Sequence, residues 1–339
     1  MSGGVDSSVT AALLKQQGYD VTGVYMKNWS QDLPGFTCPW KEDYQDAKRV
    51  AVQLDIPFKV YDFETEYRQK VVDYMLDGYR SGITPNPDIM CNQEVKFKLF
   101  LDTALADGAD MIATGHYARI KDGQLLAGLD DNKDQSYFLY RVTEDALRHT
   151  LMPIGDFEKP AVRRMAGELG LATAAKKDSQ GICFVGKVGI KEFLLHELGV
   201  QPSGAIIDQH GRMIGQHDGA IFYTIGQRHG LDVGGGLPYY VVGKDMAKNE
   251  VYVTTDLQDA RLWHKTVSLT QLHAIGSGFE DGREYQIRTR YRAPLVSATM
   301  RLNDGEASLE LHEDIRAITP GQSAVIYDGE ICLGGGIVV

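Results

Sequence analysis

Three short stretches carry the residue types that could do chemistry. The first is Ser2-Gly3-Gly4-Val5-Asp6-Ser7-Ser8, two adjacent glycines flanked by hydroxyls and a carboxylate, directly before an apolar run (Val9, Ala12, Leu13) at helical spacing. Glycines let backbone N–H groups approach a phosphate, and a helix N-terminus adds partial positive charge. A Walker A loop would place a lysine at the helix start, whereas no lysine precedes Lys15 here. The loop therefore suits a phosphate group that departs rather than a γ-phosphate passed on. An ordinary Gly-Gly turn into a helix is the competing reading of these residues alone.

The second stretch is Thr84-Pro85-Asn86-Pro87-Asp88-Ile89-Met90-Cys91-Asn92. Asn86 is a good N-cap and Pro87 a good first helical residue, which puts Asp88 in the first turn and Cys91 one turn on, on the same face. A thiol near a helix N-terminus is in a setting that favours thiolate, and Asp88 could move a proton at the same centre. A capped helix with an incidental cysteine is the alternative. The third stretch is Asp178-Ser179-Gln180-Gly181-Ile182-Cys183-Phe184-Val185-Gly186, a cysteine between glycine-bearing turns after Lys176 and Lys177. A mildly electropositive loop of this kind suits a reactive thiol. Cys38, after Phe36-Thr37, and Cys332, in an apolar run before three glycines, read as structural.

Elements that alternate between strand and helix must position these groups. Residues 19–29 read as a buried strand with Met26 near its C-terminal end, where an adenine could rest or a core methionine could pack. Residues 42–54 read as a helix and 57–63 as a second strand, the alternation that gives a parallel sheet with helices on both faces. The helix that carries Cys91 continues through Phe97, Leu101 and Leu105 to Gly108. Residues 109–114 form another strand ending in Gly115-His116-Tyr117, the position at which open α/β sheets place ligand contacts. Gly115 allows close approach of a ribose or base, and a structural His116 is the alternative. Lys133-Asp134-Gln135-Ser136 reads as an exposed polar loop. A phosphate-binding loop normally follows a parallel strand, so with the loop starting at residue 2 the first strand is expected to be missing from the chain. From about residue 194 short alternating strands take over, and from 264 they read as a small antiparallel barrel.

With 339 residues, 43% of them apolar, the chain is long enough for two or three domains. No apolar segment approaches the ~20 residues of a bilayer span, and no signal peptide opens the chain, so the expectation is a cytoplasmic protein with no membrane partner. Four widely spaced cysteines argue against a disulfide scaffold or a CxxC zinc site. A net charge of −11 argues against a nonspecific polyanion binder. A nucleic acid would have to be met by local patches, such as Arg283, Arg288, Arg290, Arg292 and Arg301 with only Glu284 opposing.

Taken in order, SGGVDSS, TPNPDIMCN, ATGHYA, KDQSYFLY, DSQGICFVG, YTIGQRHGL, TRYR, TPGQSAV and CLGGG resemble, in arrangement and approximate spacing, the bacterial tRNA-specific 2-thiouridylases. The S-G-G-x-D-S pattern itself resembles the PP-loop of the ATP pyrophosphatase superfamily. The resemblance implies an α/β fold with three domains. A parallel-sheet PP-loop domain (adenine nucleotide alpha-hydrolase-like) spans 1–193, a small mainly-β central tRNA-binding domain 194–263, and a C-terminal antiparallel β-barrel 264–339. It implies ATP-dependent thiolation of C2 of the wobble uridine (U34), with Mg²⁺ accompanying ATP, no tightly bound cofactor and no resident metal site. Carried onto this chain, Ser2, Gly3, Gly4, Asp6, Ser7, Met26 and Gly115 would bind ATP. Asn86, Pro87 and Asp88 would meet the target base, with Asp88 as acid or base. Cys183 would carry a persulfide received from a sulfur donor protein, a cysteine desulfurase or sulfur carrier. Cys91 would be the second thiol, closing a transient Cys91–Cys183 disulfide. His116, Lys133, Asp134, Gln135, Arg290, Tyr291 and Gln322 would contact the anticodon stem-loop of tRNA. The alternatives are another PP-loop adenylating ligase, which needs no thiol pair, and a sulfur-relay or RNA-binding protein without catalysis.

Overall fold

The computed structural model describes residues 1–339 apart from 34, 36, 178–188, 232, 235, 237 and 304. Val5, Val9 and Ala12 fall on one stripe of helix α1 (Val5–Gln16), which buries them in a cluster with Val162 and Ala166 of the helix Lys159–Glu168. Gly18 follows at φ +88°, the left-handed position that ends a helix most cheaply without a side chain. Strand β1 (Gly23–Lys27) leads through the helix Trp40–Gln53 to β2 (Phe58–Asp62), paired parallel to β1 from Gly23↔Phe58 to Lys27↔Asp62. Strand β3 (Ile112–Ala113) precedes a hairpin of β4 (Ala118–Lys121) and β5 (Gln124–Ala127), and β6 (Thr150–Leu151) returns parallel to β3.

The parallel layer thus consists, among the described residues, of two separate two-stranded pairs. Strands expected over 19–29 and 109–114 are realised in part, at Gly23–Lys27 and Ile112–Ala113. Residues of both β1 and β3 line one cavity of about 1180 Å³. Met1 N donates to Val24 O on the same wall. A helical run over residues 87–106 packs beneath, α-helical at Pro87–Met90 and Phe100–Ala106 and widened to π geometry over Cys91–Leu99. Its inner stripe (Ile89, Cys91, Val95, Phe97, Leu101, Ala104) joins the largest apolar cluster of the molecule.

The central region holds a four-stranded sheet of β7 (Gly204–Ile207), β8 (Met213–His217), β9 (Tyr240–Asp245) and β10 (Glu250–Thr254), ordered β8-β7-β10-β9. Ile206, Val241, Val251 and Val253 fill its core. Six strands then close into an antiparallel barrel: β11 (Trp263–Ala274), β12 (Glu284–Arg288), β13 (Val296–Asn303), β14 (Glu306–Arg316), β15 (Ser323–Asp328) and β16 (Ile331–Val338). Pairing runs β11-β14-β13-β12-β15-β16, and β11 pairs again with β16 to close the ring. Alternate residues point inward, as Tyr285 and Ile287 on β12 and Ala298 and Met300 on β13.

Two features depart from the reading of the sequence. The β4–β5 hairpin, which no periodicity announced, adds to the barrel through Ile331↔Leu126 and Cys332↔Leu125. Residues 133–136 are not a wholly exposed loop: Asp134 and Ser136 are buried. The cause is charge pairing, since Arg288 of β12 donates to Asp134 Oδ2 at 2.9 Å. An isolated carboxylate would not be buried there, but one paired with a guanidinium and three further donors is.

Candidate active site

The glycine loop delivers bare N–H groups to the cavity because nothing caps α1. Gly4 is its N-cap residue and no side chain accepts from the first turn, so those donors face the space ahead of the helix. Ser2, Gly4, Asp6 and Ser7 line the cavity. Gly3 has φ +74°, and a Cβ there would lie 2.3 Å from Asp43 O, so the tight turn needs glycine. Ser7 Oγ donates to Gly4 O at 3.2 Å and accepts from Ser2 N at 3.1 Å. Ser8 faces inward instead, donating to Gly4 O and accepting from Thr173 Oγ1 at 2.9 Å.

Asp6 is held from two directions. The Lys159 ammonium lies 2.7 and 2.8 Å from its two oxygens, and Tyr117 donates to Oδ1 at 2.8 Å. Lys159 also lies over the Tyr117 ring, 5.6 Å from its centroid. The loop lacks a lysine in its own sequence, and the fold supplies one from 153 positions further along the chain. Nothing local to Lys159 signals this, because the contact exists only once the helix Lys159–Glu168 packs on α1.

Gly115 lies on the same wall, where an added Cβ would lie 2.8 Å from Ser7 N. Its lack of a side chain lets the turn after β3 close onto the phosphate loop. Met26, at the end of β1, also lines the cavity. His116 is buried, with Nδ1 2.9 Å from Thr114 Oγ1 and Nε2 3.5 Å from Lys96 Nζ. Desolvation, reinforced by the Lys96 charge, pushes its pKa well below the ordinary histidine value, so the ring is neutral at physiological pH. Gln135 accepts from Tyr117 N at 2.9 Å, and Lys133, Gln135, Tyr291 and Arg292 all line the cavity.

The helix start at Asn86 is formed as its sequence requires: the Asn86 side chain accepts from Asp88 N at 3.1 Å, with Pro87 in the first turn. Asp88 is raised above the ordinary aspartate value by desolvation, with Lys96 pulling the other way. Lys96 therefore acts electrostatically on both Asp88 and His116. Sequence reasoning missed it, for a lysine on a helix face carries no signal of its partners. Cys91 is 4% exposed, behind the cavity rather than among its lining residues. Asn92 donates to Phe138 O at 3.0 Å, and the Phe138 ring lies 4.6 Å from that of Tyr291. Cys183 lies outside the described residues.

Three expected RNA contacts are engaged within the protein. Asp134 accepts from Gly128 N and Ser136 N at 3.0 Å as well as from Arg288. Arg290 donates to Ile225 O, Ala317 O and Thr319 Oγ1. Gln322 donates to Thr84 O at 2.6 Å. Cys332 is buried and pushed up to about 12 by desolvation, as a structural thiol would be. Cys38 is raised by desolvation too but lines the cavity, donating to Trp29 O.

An uncapped helix start behind a glycine loop, beside parallel strands, is the arrangement of a nucleotide-binding α/β protein. Residues 1–187 match a family model described as a tRNA methyl transferase HUP domain. Residues 191–255 match a tRNA methyl transferase PRC-barrel domain, and 264–338 an aminomethyltransferase beta-barrel domain. The chain is 49% identical over 347 residues to the tRNA-specific 2-thiouridylase MnmA of Bacillus subtilis, covering 100% of this chain and 93% of that one. Its similarity to the proteins of the same name from Bacillus licheniformis (50%) and Listeria monocytogenes (48%) has the same coverage. The chain belongs to the tRNA-specific 2-thiouridylase family.

Proposed function

We propose that this chain thiolates C2 of the wobble uridine of tRNA at the expense of ATP. The observation that carries this is one cavity in which the uncapped start of α1 meets His116, Lys133, Gln135 and Tyr291, with Lys96 linking it electrostatically to Asp88. The phosphates of ATP lie against Ser2, Gly3, Gly4, Asp6 and Ser7, and the adenosine against Met26 and Gly115. Mg²⁺ would arrive with the nucleotide, held chiefly by the phosphate oxygens, since Asp6, the carboxylate of the loop, is already paired with Lys159 and Tyr117. Asn86, Pro87 and Asp88 meet the uracil, and His116, Lys133, Gln135 and Tyr291 of the cavity wall contact the RNA, while Asp134, Arg290 and Gln322 act through their bonds within the protein. An anticodon loop offers unpaired bases that can be splayed out and read on their edges.

The chemistry follows from the leaving group. The C2 oxygen of uracil attacks the α-phosphorus of ATP, pyrophosphate departs, and the oxygen becomes part of an AMP leaving group. The terminal sulfur of a Cys183 persulfide, supplied by a cytoplasmic sulfur donor protein, attacks C2 and AMP is expelled. The Cys91 thiolate then attacks the Cys183 sulfur, freeing the thione and leaving a Cys91–Cys183 disulfide that an external thiol reduces. Asp88, its proton affinity raised by burial, takes or returns the proton at the base. Incubation with ATP, a cysteine desulfurase and cysteine as persulfide source, a reducing thiol and an anticodon stem-loop bearing U34 is expected to give a nucleoside heavier by sulfur-for-oxygen exchange. A gain of one CH₂ would support the methyl transfer named in the family descriptions. Turnover that survives Cys91→Ser and Cys183→Ser would favour a PP-loop ligase, and absence of RNA-dependent pyrophosphate release a non-catalytic relay.

A further inference from the structure

Thr84 is gripped by both flanking regions at once. Its N–H donates to Pro320 O at 2.9 Å and its carbonyl accepts from Gln322 Nε2 at 2.6 Å, both on the segment leading into β15 of the barrel. Its hydroxyl lies 3.1 Å from Thr224 Oγ1 of the central region. The approach is close enough that a Cβ on Gly321, at φ +89°, would lie 2.9 Å from Thr84 N. The same barrel segment is tied to the central region, since Arg290 of the barrel donates to Ile225 O, Ala317 O and Thr319 Oγ1. A Cβ on Gly226 would lie 2.7 Å from Ala317 Cβ.

Between Thr84 and Asp88 the chain is stiff. Pro85 and Pro87 fix their own φ and confine Thr84 and Asn86 to extended backbone, and Asn86 stands at φ −110°, ψ 98°. Pro85 is wedged against Gly78, where a Cβ would lie 2.6 Å from Pro85 Cγ. A displacement of Thr84 is therefore passed to the Asn86 cap and the first helical turn rather than absorbed on the way.

We infer that this three-region junction sets the position of the turn bearing Asp88 and Cys91, and that Gln322 and Thr224 are positioning residues acting through Thr84. The inference rests on the roles given above to Asp88 and Cys91. It assigns Gln322 a function inside the protein in place of, or in advance of, any contact with RNA.

Two near-isosteric variants test it. Gln322→Glu removes the donor and sets a carboxylate against Thr84 O; Thr224→Val removes the hydroxyl from the other region. Thiolation of anticodon stem-loop RNA is expected to lose about tenfold or more in kcat in each variant, with KM for the RNA within twofold, as small misplacement of reacting groups costs rate. Amide hydrogen exchange over residues 86–91, measured without substrate, is expected to accelerate in both. A raised KM at unchanged kcat would make Gln322 an RNA contact and overturn the inference, as would unchanged exchange over 86–91. If Gln322→Glu does not fold, Thr224→Val alone decides. Absence of turnover by the unaltered protein would sink the functional reading, while the exchange measurement would still decide this one.

Discussion

At the glycine-loop end of the cavity Asp6 is paired with Lys159, and the nucleotide contacts proposed for that loop depend on this pair. The side chain of Lys159 is 10% exposed and that of Asp6 31%, so the pair is partly desolvated and stronger than a surface bridge. Lys159→Met keeps the stem and removes the charge. It is expected to weaken ATP binding and RNA-dependent pyrophosphate release at least tenfold, with about 1–3 kcal/mol lost from stability as Asp6 keeps only Tyr117; nucleotide titration and thermal unfolding check both. His116 gives a pH dependence of known sign. Its folded pKa is depressed, so its contribution to stability is present above the unfolded histidine value of about 6.5 and is lost as pH falls below it. The unaltered protein is expected to lose stability as pH falls below about 6.5, and His116→Gln to flatten that limb in denaturant titrations.

At the level of elements, the helix start at Asn86 was fully legible, because an N-cap and a following proline are local signals. The side chain of Asn86 accepts from Asp88 N as those signals require. Asn86→Ala is expected to cost about 1 kcal/mol, read as a lower unfolding midpoint. It should also cost activity, since the same cap orients Asp88. The barrel was legible as short alternating strands from residue 264 on, and its first strand β11 starts at Trp263. The β4–β5 hairpin carries a local signal that the reading passed over, the Asp122-Gly123 turn at φ +52° and +79°, whereas its pairing with β16, about two hundred residues away, has none. The same cause hid the burial of Asp134: KDQS is polar by composition, and only the Arg288 guanidinium brought over by β12 turns one member inward. Local chemistry predicts caps, turns and loops, whereas pairings across the chain wait for the fold.

For the whole molecule, the parts do not separate at the family boundaries. The barrel accepts β5 from the nucleotide-binding region as a neighbour of β16, and Tyr137 donates to Ser323 O at 3.0 Å while the Tyr140 hydroxyl meets Ser323 Oγ at 3.0 Å. Both tyrosines are fully buried, so cutting the barrel away would expose them together with the Asp134–Arg288 pair. An RNA ligand must then approach an undivided body that carries a net charge of −11. Long-range repulsion opposes it, and the cations at the cavity, among them Lys96, Lys133 and Arg292, offer local attraction. Arg292 is held at that rim by its donation to Asn132 O at 2.8 Å, next to Lys133. If each of these two cations meets a phosphate, Lys133→Ala and Arg292→Ala should each weaken anticodon stem-loop binding, largely independently of loop sequence. Each should also lower the slope of log affinity against log salt by about one. A filter-binding or fluorescence titration series across salt measures the slope, and an unchanged slope in both variants would move the RNA backbone to another face of the protein.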